Sequence, residues 1–370
     1  MKINRDIILK NKMRRISLLI IVLLCVFVAK ADGFTWSVDN NTIFDNRECD
    51  RDYSANGTIF LSRLSTEVGL SFLDDEHRIS GGVSWVQPIG NGWADYKLCP
   101  TLYYRYEGKE WKTSFGMFPR SQFISPLPKY LLSDSIAYHE PNVRGLLVQY
   151  VKPCGYAEFS LDWRSLQSEV NREAFNINLN TEWNPVWKLL IGGNAQLNHL
   201  AKQKNAPSSQ GVNDDLMVNP YVGVDLGKET FFDSLVVKGG ALISMQRARN
   251  LGDWKKGAGF LLNAVVEKKF IGVEETFYVG KNVMPLYPLF GPLLNMGDPY
   301  FQAPLYSRTD VNLYLIRNRY VNLEASLVFH CTEVAFGFWQ QLKLRVFVND
   351  KSWKKRDEKA TRMEWLPNVY

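Results

Sequence analysis

The chain has 370 residues, 46% of them hydrophobic and 22% charged, with a formal net charge of +6. Seven of its 44 basic residues but only one of its 38 acids lie within residues 1–31, so the remainder carries thirty-seven of each and is neutral. Nothing in that balance points to a nucleic-acid partner. No later stretch reaches eighteen apolar residues, which excludes helical membrane spans.

The first element is a secretory signal. Lys10, Lys12, Arg14 and Arg15 precede a largely apolar stretch of thirteen residues, Ile16–Val28, and Ala29-Lys30-Ala31 supplies an A-x-A cleavage site. The stretch is short for a membrane-spanning helix. Residues 1–31 are therefore expected to direct the chain through the inner membrane and to be removed.

Beyond residue 31 the chain is a series of short segments with alternating faces. The sharpest is Phe175–Trp183, where Phe175, Ile177, Leu179 and Trp183 point one way and Asn176, Asn178, Asn180 and Glu182 the other. In chain order the predicted strands are 34–45, 58–72, 78–87, 96–106, 110–118, 142–152, 155–164, 171–183, 186–198, 215–227, 233–246, 257–269, 271–281, 306–318, 319–330 and 334–348. The strand at 142–152 is apolar on both faces, which predicts an internal segment packed against its inner side. Pro100 and Pro220 fall inside predicted strands, where each removes a ladder hydrogen bond, so a bulge or strand end is expected there.

The connections sort by length. Every second one is short, as at Glu107-Gly108-Lys109, Pro153-Cys154 and Asn184-Pro185. The others include Pro119–Pro141, His199–Asp214 and Asn282–Leu305. Short turns on one rim and long loops on the other are the signature of an outer-membrane barrel. The pattern predicts an all-β chain: a transmembrane antiparallel up-and-down β-barrel of about 16 strands over residues 32–349, with short periplasmic turns and long extracellular loops. Residues 350–370, mixed in charge, read as a periplasmic tail.

Several short motifs carry a resemblance. Asn41-Thr42-Ile43-Phe44-Asp45-Asn46-Arg47-Glu48, Gly116-Met117-Phe118-Pro119-Arg120, Glu140-Pro141-Asn142-Val143-Arg144-Gly145, Asp162-Trp163-Arg164, Arg172-Glu173-Ala174-Phe175 and Gly297-Asp298-Pro299-Tyr300-Phe301 are similar to segments of a porin-like outer-membrane family of Bacteroidota-type bacteria. The resemblance implies an outer-membrane barrel of porin type. It brings no substrate and no catalytic residue with it. The tail after Val348 departs from the usual barrel ending on an aromatic residue.

The candidate site residues lie on inward faces and in one loop. Arg63, Glu67, Arg105, Lys112, Glu158, Asp162 and Arg164 face inward and carry both signs. A strongly selective pore needs one sign to dominate, so they suit either a weakly selective channel or a wall of internal salt bridges. Pro119–Pro141 is the third outer loop, stiffened by prolines and rich in Phe, Leu and Tyr. Its Arg120, Lys129 and Asp134 are the constriction candidates; packing as a cap over the barrel mouth fits it as well. With the second apolar loop, 282–305, it is able to close the barrel to free diffusion.

Catalytic signals are few. Ser326 and His330 share an inward face but lie four residues apart, about 13 Å at the usual strand rise, too far for a dyad. No metal-spaced histidine cluster occurs, and the spacing of Cys49, Cys99, Cys154 and Cys331 fits no zinc site. The expected function is a passive outer-membrane channel for small hydrophilic solutes. It is expected to need no cofactor or metal and to do no catalysis. Its expected partners are outer-membrane lipid and lipopolysaccharide, the barrel-assembly machinery, small solutes and a possible homo-oligomer. A sealed barrel that binds a partner, and a lipid-modifying enzyme, are the alternatives.

Overall fold

The computed structural model describes residues 31–50, 53 and 56–354, and within them sixteen antiparallel strands close into one barrel. The strands are β1 (Gly33–Cys49), β2 (Gly57–Phe72), β3 (His77–Pro88), β4 (Lys97–Glu107), β5 (Trp111–Pro119), β6 (Asn142–Lys152), β7 (Gly155–Ser165) and β8 (Ala174–Trp183). They continue as β9 (Leu189–Leu200), β10 (Asn213–Asp225), β11 (Ser234–Ala248), β12 (Lys255–Lys268), β13 (Ile271–Gly280), β14 (Leu305–Arg317), β15 (Val321–Thr332) and β16 (Phe336–Asn349). Each pairs with its neighbours in sequence, and β16 returns to β1 from Ser37↔Asn349 to Cys49↔Gly337. The signal segment up to residue 30 and the tail from residue 355 lie outside the described residues; Asp350–Lys354 forms a short helix.

Two-residue periodicity explains the wall. Val68, Leu102, Phe115, Ile191, Val222 and Phe260 are exposed on the outer face. So much contiguous apolar surface is unfavourable in water and is satisfied by lipid. The alternate residues face inward and are mostly polar. Asn176, Asn178, Asn180, Gln196 and Asn198 are buried there, bonded side chain to side chain across β8 and β9.

The two prolines are absorbed without a bulge. At Asn219 and Pro220 the β10–β11 ladder is interrupted, but the register is the same on both sides, Val218↔Ile243 and Tyr221↔Gly240, and the Asn219 amide donates to the Ala241 carbonyl at 2.9 Å in place of the lost backbone bond. Pro100 lies beyond the end of the β4–β5 ladder, which starts at Leu102↔Met117. The register shifts occur elsewhere, at Trp163/Ser165 and Tyr314/Ile316.

The core of this barrel is made by loops. The third outer loop folds inward, and Phe123, Leu127, Tyr130, Leu131 and Leu132 are each at most 3% exposed. The loop between β13 and β14 enters as well, burying Val283, Met284, Tyr300 and Phe301 completely. Both pack against inward residues of the wall, Val143 and Leu147 of β6 among them, so the doubly apolar β6 has the internal partner its sequence predicts.

Candidate functional site

The interior is organised by two loops tied to the wall and to each other. In the third loop a single 3-10 turn, Arg120–Gln122, leads to α1 (Asp134–His139), whose first turn is capped by the Ser133 side chain. Arg120 is 1% exposed and donates to Asp162 of β7 at 3.1 Å and to the Glu140 carbonyl at 3.4 Å. Glu158, on the same strand, accepts from the backbone N–H of Ile124 at 2.8 Å, from Gln149 at 2.7 Å and from Asn180 at 3.3 Å. Arg105 donates to Ser114, Gln122 and Gln149 at 3.0–3.2 Å, and Arg63 donates to the Tyr138 carbonyl at 3.5 Å.

Lys129 pairs with Asp134 at 2.5 Å. Asp134 also accepts from Arg308 of β14 at 2.9 Å, and Arg308 forks onto Asp310 at 2.7 and 2.8 Å. Asp298 of the second loop stands 3.6 Å from the same guanidinium. The loops meet directly: Ser133 N–H donates to the Met296 carbonyl at 2.8 Å, and Asp298 N–H to the Lys129 carbonyl at 2.7 Å. Gly297 lies between them, where a Cβ would fall 2.1 Å from the Tyr130 carbonyl oxygen. Arg164 holds the second loop through the Pro292 and Leu293 carbonyls at 2.7 and 2.9 Å.

The residues singled out from sequence are thus brought together, but largely as anchors. Arg120, Asp134, Glu158 and Asp162 fix loops to wall, and of these only Asp134 borders a cavity. Arg63, Glu67, Arg105 and Lys112 line a cavity of about 550 Å³ that opens at the short-turn rim and is floored by Pro119, Ser121–Ile124 and Pro141. A smaller cavity of about 150 Å³ lies beyond, beside Lys129, Asp134, Glu324 and Lys343. Glu67 accepts from the Tyr103 hydroxyl at 3.0 Å.

Neither of the histidines on the inner side is placed for catalysis. His330 is fully buried, stacked on Tyr300 with centroids 4.4 Å apart and bonded through Nδ1 to the Tyr306 hydroxyl at 2.8 Å. His139 Nδ1 lies 2.9 Å from the Ser135 carbonyl. All four described cysteines are free.

A different histidine is placed for chemistry, on the outer face at the long-loop rim. His199 and Asp214 are cross-strand partners on β9 and β10, with Nδ1 2.7 Å from Oδ1. A carboxylate only accepts, so Nδ1 carries the hydrogen, and in the neutral imidazole Nε2 then presents a free lone pair. Arg249 donates to the other oxygen of Asp214 at 2.8 Å, and Arg247 is the cross-strand partner of Asp214 on β11. The aspartate hydrogen bond raises the Arg249 guanidinium pKa further. On the other side Phe175 stacks on the imidazole at 4.9 Å, and Trp163 stacks on Phe175 at 5.2 Å. Two residues down each strand the same face carries Ile177, Leu197 and Leu216, about 7 Å nearer the membrane centre.

This pair was missed from sequence because both residues were assigned to the loop His199–Asp214. The alternation Ala195, Leu197, His199 and Asp214, Leu216, Val218 was the available signal.

Known structures share the barrel. The chain superimposes on OccAB4 of Acinetobacter baumannii with a TM-score of 0.50 at 10% identity, covering 86% of this chain and 99% of that one. An anion-selective porin from Comamonas acidovorans gives 0.50 at 11%, covering 85% and 99%. A loop-deletion mutant of the outer-membrane protein OmpT of Vibrio cholerae gives 0.51 at 12%, again covering 85% and 99%. At such identities the likeness establishes the fold, the 16-strand barrel of outer-membrane proteins, as the sequence predicts. No curated protein sequence matches the chain.

The porin-like barrel implied by the resemblance stands, while its Bacteroidota-type family has no counterpart among these matches. Residues 28–350 match a family described as Lipid A 3'-O-deacylase-type. That family is one of enzymes, which overturns the expectation of a barrel that does no catalysis. The chain belongs to the Lipid A 3'-O-deacylase-type family.

Proposed function

We propose that the chain is an outer-membrane hydrolase that removes an ester-linked acyl chain from a lipid A-type glycolipid of the outer leaflet. The observation that carries this reading is the outward His199–Asp214 pair. It sits at the boundary between the apolar band and the polar rim, the depth at which acyl esters of such a lipid lie. His199 Nε2 takes a proton from water as the hydroxide oxygen adds to the acyl carbonyl carbon. Asp214 holds the imidazole in the required tautomer and stabilises the imidazolium that forms. The tetrahedral intermediate then expels the sugar oxygen, which recovers the proton from His199, leaving a free fatty acid and a sugar hydroxyl. Arg247 and Arg249 supply positive charge beside the carbonyl oxygen.

The test is acyl release from purified lipid A in vesicles containing the folded protein, followed by mass spectrometry. Loss of one acyl chain with wild type, and at least 100-fold slower loss with His199→Ala and Asp214→Asn, is the expected outcome. No acyl loss from correctly folded wild type overturns it.

A second reading, passage of small hydrophilic solutes, is favoured by the 550 Å³ cavity at the short-turn rim. On that reading the loops seated inside must move before the path opens, and the chain is a gated channel with weak ion selectivity. Planar-bilayer conductance tests it: discrete openings support a channel, and silence from folded protein excludes one.

A further inference from the structure

The short-turn cavity has an electrostatic imbalance that the lipid chemistry of the outer face does not use. Arg78 and Arg105 are direct cross-strand partners on β3 and β4, both facing inward. Like charges placed opposite one another destabilise a sheet unless an anion lies between them. The anion available is Glu107, and it is shared widely. Arg105 Nε stands 3.3 Å from it, Arg78 3.7 Å and Lys351 3.7 Å. Lys112 is its cross-strand partner on β5. Four cations therefore converge on one carboxylate, and the Arg78 and Lys351 approaches are longer than a hydrogen bond.

The other acids that line the cavity do not restore the balance. Asp39 is held by Arg345 at 2.9 and 2.7 Å, and Glu67 accepts from Tyr103. Asp350 lies at the mouth, where it begins the short C-terminal helix. Arg78 Nε is buried without a hydrogen-bond acceptor. Arg78, Arg105, Glu107 and Lys112 border about 550 Å³ of open space, enough for a ligand of several heavy atoms, and Lys351 reaches Glu107 from beside its mouth.

We propose that the periplasm-facing cavity binds a small multivalent oxyanion, of the size of inorganic phosphate or pyrophosphate, between Arg78, Arg105, Lys112 and Lys351. The Arg78 guanidinium forks onto phosphate oxygens, Arg105 adds charge and its one remaining N–H, and the two amines add point charge. Glu107 then acts as the competing internal anion, a placeholder that keeps the cations ordered when the site is empty. The cavity wall and its periplasmic mouth select a soluble anion over a lipid headgroup.

The experiment is calorimetric titration of the full folded chain in neutral detergent with sodium pyrophosphate at constant ionic strength. Saturable binding with one site per chain is expected. Arg78→Gln and Lys112→Gln each weaken it at least tenfold, while Lys256→Gln, on the outer face of the opposite rim, leaves it unchanged. Glu107→Gln binds more tightly, because the competing carboxylate is gone. Heat-modifiable migration on gels verifies that each variant is folded. Three results overturn the proposal: no saturable binding to folded wild type, wild-type affinity in both cation variants, or weaker binding in Glu107→Gln.

Discussion

Replacing Arg308 with methionine tests whether the two internal loops are locked by charge. Arg308 is 3% exposed and is the cation common to Asp310 of its own strand, Asp134 of the third loop and Asp298 of the second. Methionine keeps much of the side-chain volume but leaves the buried Asp134 and Asp298 and the half-buried Asp310 with only Lys129, Lys343 and Arg47 as more distant or partial compensation. Removing one partner of a buried ion pair costs about 3–5 kcal/mol. If that cost falls on the seated arrangement, the ratio of seated to released loops drops by about a hundred- to several-thousand-fold, since about 1.4 kcal/mol is tenfold. Limited proteolysis in detergent, with cleavage sites mapped by mass spectrometry, reads the released state. Wild type should resist cleavage in 119–141 and 282–304. Arg308→Met should be cut in both while the barrel strands stay intact, and its bilayer conductance should rise. Wild-type protection in a folded Arg308→Met barrel refutes the charge lock and leaves apolar packing as what seats the loops.

Gly297→Ala should destabilise the protein by about 1–3 kcal/mol, because the added methyl group meets the Tyr130 carbonyl and the loops must part; the urea midpoint checks it. Burial pushes Asp298 up to about 6, against the pull of Arg308. Its folded pKa lies above the unfolded one, so its contribution is present below about pH 4 and lost as pH rises through about 6; Asp298→Asn should flatten the stability curve across that window, and an unchanged slope would count against the assignment. Asp134 behaves oppositely. Burial disfavours its charge, but Lys129 and Arg308 outweigh burial and hold it well below the usual range, so Asp134→Asn should cost most stability above pH 4 and least in acid. Phe175→Ala should slow acyl release by reducing the orientation of His199 while leaving the urea midpoint within about 1 kcal/mol, since the ring lies on the outer face.

The barrel was legible because a wall between lipid and a polar interior imposes alternation, and Phe175–Trp183 shows it with Thr181 as its one polar residue on the outer face. The loop sorting came from membrane topology. That 119–141 packs against protein was also readable, since a segment with Phe123, Leu127, Tyr130 and Leu131 cannot stay in water; whether it packs inside the barrel or over its mouth was not. What alternation does not encode is which charges meet. Arg308 and Asp134 are 174 residues apart, and only the closed ring brings them together. The His199–Asp214 pair was lost to strand ends. Extending β9 and β10 by two residues each turns two loop residues into a cross-strand pair. Strand ends are also the least reliable part of any reading from sequence.

The locking of loops to strands on both sides of the ring sets an order of assembly. The third loop emerges between β5 and β6 and finds Asp162 and Glu158 on β7, close behind it in the chain. Two further anchors, Arg308 on β14 and the second loop before it, belong to the last quarter of the polypeptide. Strands β2 to β10 therefore hold the loop at both ends and in the middle, through Arg63, Asp162, Glu158, Asn194 and Asn219, but leave Asp134 without Arg308. The tie to Arg308 waits for β14, so the third loop gains its last anchor only when the fourteenth strand has been laid into the ring.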